Sequence, residues 1–218
     1  MAGSVALIDE EELVSEYLLN IKVTHSERLL TVIDSIMRDS KVAISEIDGF
    51  AISIGPGSFT GLRIGVSTVK GLAFAANKPV VGIPTLDALA ENILFTDYLI
   101  CPILDARKNE VYTALYRRDD KNGLQKLTGD MVIGPNDLLK KIEEKVIFLG
   151  DGISTYRELI AEELHDLAIC APLNIRLPRA GNVGKLSLDA FNNNDVLDLK
   201  TFTPLYVRAS EAEIKFKD

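Results

Sequence analysis

The residues from Gly55 to Gly65, "GPGSFTGLRIG", place glycines, two hydroxyl side chains and an arginine directly after the apolar run "GFAISI". A glycine turn between a strand and a helix exposes backbone N–H groups at the positive end of the helix dipole, an arrangement that binds phosphate. The sequence therefore predicts a candidate phosphate-contacting loop. Its candidate contacts are Gly55, Gly57, Ser58, Thr60, Gly61 and Arg63.

The details of this loop also support a purely structural interpretation. A Walker A loop ends in Gly-Lys-Ser/Thr, and no lysine occurs between Gly55 and Val69. The dinucleotide-binding spacing requires glycine at the position of Thr60, and Pro56 lacks an N–H donor. The alternative is a tight turn in which Ser58 or Thr60 caps the following helix.

The helix predicted over 60–76 is apolar on nearly all sides. One apolar stripe at helical spacing predicts a core face and consists of Leu62, Val66, Val69 and Ala73. A second apolar arc lies on another side of the helix. The earlier helix predicted in "THSERLLTVIDSIMRDS" has the same excess of apolar residues. Two such helices predict one of two arrangements: another chain docks on their apolar surface, or the second half of this chain covers that surface. The residues expected at a docking surface are Leu29, Ile33, Ile36, Ile64, Gly65, Thr68, Leu72 and Ala75.

The remaining pattern alternates strands and helices, which is typical of an α/β protein. It predicts two α/β halves with mixed sheets flanked by helices, residues 1–103 and 104–218, with a tail that either stays in the second half or returns to the first. The predicted elements are hairpins over 4–20 and 98–118, strands over 48–54, 79–83, 124–133 and 146–152, and helices over 60–76, 85–94, 135–144 and 153–163.

Composition limits the other chemistry that this chain of 218 residues can perform. Its net charge of −8 and lack of a basic cluster argue against direct nucleic-acid binding. His25 and His165 have no cysteine or other histidine at metal-ligand spacing. Cys101 and Cys170 are expected to be free thiols. The segment "DARKNE" (105–110) predicts a charged hairpin turn or a surface that meets a partner, and we favour the turn.

Four motifs together resemble one bacterial family. They are "GPGSFTGLRIGVSTVKGLAFA" (55–75), "THSERLL" (24–30), "DARKNEVY" (105–112) and "PLYVR" (204–208). They occur in the expected order across nearly the whole chain and are similar to those of the TsaB (YeaZ) family of tRNA threonylcarbamoyladenosine biosynthesis proteins.

This resemblance implies a two-lobed fold of the actin/Hsp70/sugar-kinase (ASKHA) type. It also implies a non-catalytic subunit that dimerises with the catalytic subunit TsaD and works with the ATPase TsaE. That complex uses ATP to transfer threonylcarbamoyl to the adenosine 3′ of the anticodon in ANN-reading tRNAs. The chain itself would bind no cofactor or metal, would contact tRNA only indirectly, would form homodimers when alone, and would be cytoplasmic.

One departure concerns the N-terminus. Family members begin with an additional strand before "SVALID", whereas this sequence has only Met1-Ala2-Gly3 there. The resemblance therefore implies either that the natural start lies upstream of Met1 or that the first lobe is incomplete and lacks the central strand of its sheet. An incomplete lobe would leave a gap beside the hairpin and make nucleotide binding by this chain alone doubtful. The alternative function is a small kinase or acyltransferase of the same superfamily that acts at the cleft between the lobes.

Overall fold

The computed structural model describes residues 2–20, 26–119 and 123–207. The chain divides into two compact units. Unit 1 comprises Met1–Ala88 and Pro178–Leu205, and unit 2 comprises Leu89–Leu177 with a C-terminal segment that begins at Tyr206. The boundary predicted between residues 103 and 104 falls inside a strand, Leu99–Arg107.

Unit 1 contains two small sheets and the helices that cover them. Its elements are β1 (Ala2–Ile8), β2 (Leu13–Asn20), α1 (Ser26–Ser40), β3 (Phe50–Gly55), α2 (Phe59–Ala76), β4 (Val80–Pro84), the start of α3 (Thr85–Ala90) and, much later in the chain, α6 (Ala180–Asn192).

The two sheets of unit 1 are not hydrogen-bonded to each other among the described strands. β1 pairs antiparallel with β2, and β3 pairs parallel with β4. A gap beside the hairpin and an additional strand before β1 both stay predictions. α6 packs against strands of both sheets. A side chain at Gly184 of α6 would collide with Ile8, whose Cδ1 lies 2.7 Å from the Cβ position.

Unit 2 is built on a single seven-stranded sheet. Its elements are β5 (Leu99–Arg107), β6 (Glu110–Thr113), β7 (Tyr116–Asp119), β8 (Gly123–Lys126), β9 (Met131–Ile133), α4 (Pro135–Leu139), β10 (Val146–Leu149), α5 (Ile153–Leu164) and β11 (Ala168–Cys170). The strand order is β11-β10-β5-β6-β9, and β7 pairs with both β5 and β8. Phe148 on β10 and Ile160 on α5 belong to its buried core.

The structure confirms most predicted elements, shortens two helices and divides two strands. β6 and β7 replace the second strand of the hairpin predicted over 98–118, and β8 and β9 replace the strand predicted over 124–133. The hairpin of β1 and β2, the helix after the glycine loop and the β5–β6 hairpin lie where the sequence predicts them. The helix predicted over 85–94 ends at Ala90, and the helix predicted over 135–144 ends at Leu139. Both cysteines are free thiols, as expected.

Candidate functional site

The glycine loop is built around a segment from the C-terminal part of the chain. Gly55 ends β3 with a φ of +122°, which favours glycine, and a Cβ there would lie 2.6 Å from the carbonyl oxygen of Leu205. The backbone N–H of Leu205 donates a 2.8 Å hydrogen bond to the carbonyl oxygen of Ile54. The inner side of the loop is therefore occupied by this chain's own backbone.

The structure confirms that Ser58 caps α2. Its Oγ accepts a hydrogen bond from the backbone N–H of Gly61 at 3.4 Å, whereas Thr60 is exposed. The guanidinium of Arg63 lies 3.9 Å from the centre of the Phe59 ring. A Cβ at Gly57 would have no atom within 4 Å, so the outer side of the loop is open. A phosphate contact at this loop stays a prediction.

The predicted core face of α2 is confirmed. Val66 and Ala73 are buried in a cluster with Ile52, Val80 and Phe202. The sequence did not indicate that Phe202 completes this cluster, because it is more than 120 residues away along the chain. The Lys70 ammonium also lies 4.4 Å from the centre of the Phe202 ring, so α2 contacts the returning segment through a cation as well as through its core face.

The second arc of α2 is covered unevenly. Ile64, Thr68 and Leu72 are half-buried, and Ala75 is exposed. Gly65 instead faces β3, because a Cβ there would lie 3.4 Å from Cδ1 of Ile52.

Sequence reasoning missed the most exposed apolar side chain of α2. Phe74 has 82 % of its surface exposed. It lies on the same side of the helix as Arg63 and Lys70, and the helical pattern predicts that this side faces solvent. An aromatic residue beside those two cations was the signal that could have identified it.

On α1, one predicted interface residue belongs to the core. Ile36 is 6 % exposed, so this chain alone already covers it. Leu29 and Ile33 are half-buried, and Leu30 beside them is 55 % exposed. The apolar surface of α1 is therefore narrower than the sequence pattern predicts and includes Leu30.

In unit 2, the segment "DARKNE" forms the hairpin turn that the sequence analysis favours. Arg107, Lys108 and Asn109 adopt positive φ angles there. The backbone N–H of Asp105 donates a 3.0 Å hydrogen bond to Oδ1 of Asp151. Burial raises the pKa of the Asp151 carboxyl, with a further contribution from the Asp105 charge, although the Asp105 N–H opposes the shift. These carboxylates therefore have structural contacts within unit 2.

Two searches of the structure bear on metals and membranes. Within residues 2–20, 26–119 and 123–207, no group of three or more His, Cys, Asp or Glu side chains is arranged to hold a metal ion. Across those same residues, none of the helices has the length and apolar character needed to span a bilayer.

Comparisons of sequence connect the chain to proteins of tRNA modification. The family model described as "TsaD: tRNA N6-adenosine threonylcarbamoyltransferase" matches residues 13–216. The tRNA threonylcarbamoyladenosine biosynthesis protein TsaB of Bacillus subtilis is 32% identical over 216 residues, which cover 97% of this chain and 92% of that protein. TsaB of Escherichia coli is 26% identical over 193 residues, covering 86% and 82% respectively.

Comparisons of structure agree. A crystal structure described as an uncharacterized protein with similarity to peptidase YeaZ from Pseudomonas aeruginosa superposes with a TM-score of 0.79 at 27% identity, covering 95% of this chain and 94% of that one. YeaZ from Pseudomonas aeruginosa superposes with a TM-score of 0.74 at 25% identity, covering 94% of each chain. The mixed sheets flanked by helices are those of the ASKHA fold, and the chain belongs to the TsaB (YeaZ) family.

Proposed function

We propose that this chain takes part in tRNA threonylcarbamoyladenosine biosynthesis as a non-catalytic subunit that dimerises with a TsaD-type catalytic subunit. In this proposal a TsaE-type ATPase joins the complex, ATP is consumed by the complex, and tRNA meets this chain only indirectly in the cytoplasm. Its membership of the TsaB family supports the pathway, because the curated relatives carry that pathway in their names.

The partner role rests mainly on the surface of α1 and α2. We define the docking surface as the six predicted residues that remain when buried Ile36 and Gly65, which faces β3, are left out. They are Leu29, Ile33, Ile64, Thr68, Leu72 and Ala75. Exposed Leu30 on α1 and Phe74 on α2 extend its apolar area. Exposed apolar surface on helices is typical of a protein-binding site.

Small residues on α2 favour a helical partner. A Cβ at Gly71 would have no atom within 4 Å, and Ala75 is exposed on the same side of the helix. Small side chains let two helix backbones approach closely, which increases packing between them. We therefore expect helices of the catalytic subunit to pack against α1 and α2.

The contacts within the glycine loop support a non-catalytic role. Ser58 is used as a helix cap, Arg63 stacks on Phe59, and Gly55 contacts Leu205. Each of these groups therefore has a structural role within unit 1. In this proposal the transfer chemistry belongs to the catalytic subunit.

The test compares two variants of unit 1 that add the same charge. Ala75→Glu places a carboxylate within the docking surface on α2, whereas Asn192→Glu places it at an exposed position at the end of α6. A charge that becomes buried without a partner is costly, so we expect Ala75→Glu to weaken binding to a TsaD-type subunit at least tenfold, or about 1.4 kcal/mol. Asn192→Glu should bind normally, and Thr68→Arg should repeat the loss.

The measurements are co-purification with the catalytic subunit and threonylcarbamoyl transfer to tRNA by the assembled complex. Circular dichroism and thermal melting establish that each variant is folded. If folded Ala75→Glu and Thr68→Arg bind and support transfer like the unmodified chain, the docking surface is wrong. If the unmodified chain neither binds a TsaD-type subunit nor supports transfer, the proposed function is wrong.

A further inference from the structure

The returning segment, residues 197–205, runs along the β3–β4 sheet and is fixed to it at both ends. The backbone N–H of Leu197 donates a 2.7 Å hydrogen bond to the carbonyl oxygen of Val80, and that of Leu205 donates one of 2.8 Å to the carbonyl oxygen of Ile54. Val80 begins β4, and Ile54 lies near the end of β3. Because the two strands are parallel, these hydrogen bonds lie at opposite ends of the sheet. The segment itself forms neither helix nor strand, so its position depends on such contacts.

A turn in the middle of the returning segment presents one aromatic side chain to α2. Asp198 shapes this turn, because its carboxylate accepts hydrogen bonds from the backbone N–H of Lys200 and from the hydroxyl of Thr201, each at 2.9 Å. The backbone carbonyl oxygen of Asp198 also accepts a hydrogen bond from the N–H of Phe202, again at 2.9 Å. Local hydrogen bonds therefore hold the turn from which the Phe202 side chain reaches α2.

Phe202 packs against the core face of α2. Only 8% of its surface is exposed, and it belongs to the same buried cluster as Val66 and Ala73. The ammonium of Lys70, which lies about one turn from each of these two residues, is 4.4 Å from the centre of the Phe202 ring. Because Ala73 carries only a methyl group, a large side chain from another segment must complete the packing there. The contact with Phe202 therefore helps to fix the position of α2 on its sheet.

The docking surface lies on the side of α2 that faces away from this contact. At roughly 100° per residue, Thr68 and Ala75 lie opposite Val66 on the helix. We propose that the returning segment is a positioning element for the docking surface, and that Phe202 acts through α2, which it holds where the catalytic subunit can pack. Phe202 itself offers a partner almost no surface, because it is buried. This inference rests on the proposed function. Two sites that are coupled through one helix influence each other equally, so partner binding should also stabilise the returning segment.

The test compares two phenylalanine variants of unit 1. Phe202→Ala removes the ring that packs on α2. Phe191→Ala removes a ring of α6 from the cluster around Val81 and Ile83, whose described members include no residue of α2. We expect Phe202→Ala to weaken binding to a TsaD-type subunit roughly tenfold, which is within the usual range for coupled sites, and Phe191→Ala to bind normally. Phe202→Leu keeps most of the apolar bulk and should recover most of the affinity. Titration calorimetry below the unfolding midpoint of every variant measures the affinities.

Hydrogen exchange provides a second readout that needs no variant. The hydrogen-bonded N–H groups of Leu197 and Leu205 belong to the returning segment and not to the docking surface. We expect both to exchange more slowly when the catalytic subunit is bound, because a stabilised segment opens less often. Binding that leaves their exchange unchanged overturns the inference. So does a folded Phe202→Ala that binds like the unmodified chain, or a Phe191→Ala that loses as much affinity. These three outcomes leave the proposed function standing, whereas an unmodified chain that fails to bind overturns both.

Discussion

Strand β5 at the centre of unit 2 is buried much more completely than the β1–β2 hairpin of unit 1. Six consecutive residues of β5, Leu99–Leu104, are buried, whereas β1 has only half-buried side chains over residues 3–8. β5 has neighbours on both edges, and β1 pairs with β2 alone among the described strands. A strand becomes fully buried when neighbouring strands cover both of its edges and other elements cover both of its faces. The hairpin of unit 1 therefore keeps more of its surface exposed than the central strand of unit 2.

The largest expected difference between the units comes from two phenylalanines. Phe148 is completely buried in the core of unit 2, whereas Phe74 on α2 of unit 1 is 82% exposed. Phe148→Ala should lower the free energy of unfolding by about 3–5 kcal/mol, because it removes buried apolar area and leaves a cavity. Phe74→Ala should change it by no more than roughly 0.5 kcal/mol. Urea unfolding measures both, and similar losses would contradict the contrast in burial.

The sequence predicts local features of the chain better than contacts between residues that are far apart in the sequence. Ser58 and the end of α2 at Asn77 are local features, and both follow from helix-capping preferences. α3 ends early for a reason outside its own sequence, since Asn92 donates hydrogen bonds to the carbonyl oxygens of Ile175 and Leu177. These partners are more than 80 residues away along the chain, and no local pattern indicates them.

The candidate docking residues also include some that the sequence predicts correctly and some that it does not. Helical spacing correctly identified the core face of α2 around Val66 and Ala73. It also assigned Ile36 and Gly65 to the surface, whereas Ile36 is buried and Gly65 faces β3. Spacing shows that a helix has excess apolar surface, but which part remains accessible depends on the strands that pack against it.

Two ion pairs offer a second, smaller comparison between the units. In unit 2, Arg118 and Glu91 are both largely buried, with 15% and 5% of their side chains exposed. In unit 1, Arg179 is 40% exposed beside buried Glu16. Arg118 also donates a 2.8 Å hydrogen bond from Nε to the carbonyl oxygen of Ile93.

We expect removal of Arg118 to cost more stability than removal of Arg179. Arg118→Met leaves a buried carboxylate without its cation, and should lower the free energy of unfolding by about 3 kcal/mol. Arg179→Met should lower it by roughly 1 kcal/mol, because solvent already screens that guanidinium and Gly181 still donates to Glu16. Equal decreases in the free energy of unfolding, measured by chemical denaturation, would mean that the two ion pairs are buried to the same degree.

The smallest expected effect concerns two aspartates whose pKa values shift in opposite directions. Hydrogen bonds from the backbone N–H groups of Glu12 and Glu11 lower the pKa of exposed Asp9 in unit 1. Burial raises the pKa of Asp151 in unit 2 above 3.8. Asp9 therefore contributes stability above its unfolded pKa, and this contribution is lost as the pH falls through its folded value.

The contribution of Asp151 to stability changes with pH in the opposite direction. Between its unfolded and its folded pKa the native state binds more protons than the unfolded state, so its contribution is greatest at low pH and is lost as the pH rises through that window. Asp151→Asn keeps an oxygen that accepts from the N–H of Asp105 and removes the titration. We expect its free energy of unfolding to fall less than that of the unmodified chain as the pH rises from 3.8 toward neutral. Urea melts across this range, with Asp9→Asn as the matched control, test the sign. An Asp151→Asn curve that falls more steeply would show that the folded protein stabilises the Asp151 charge.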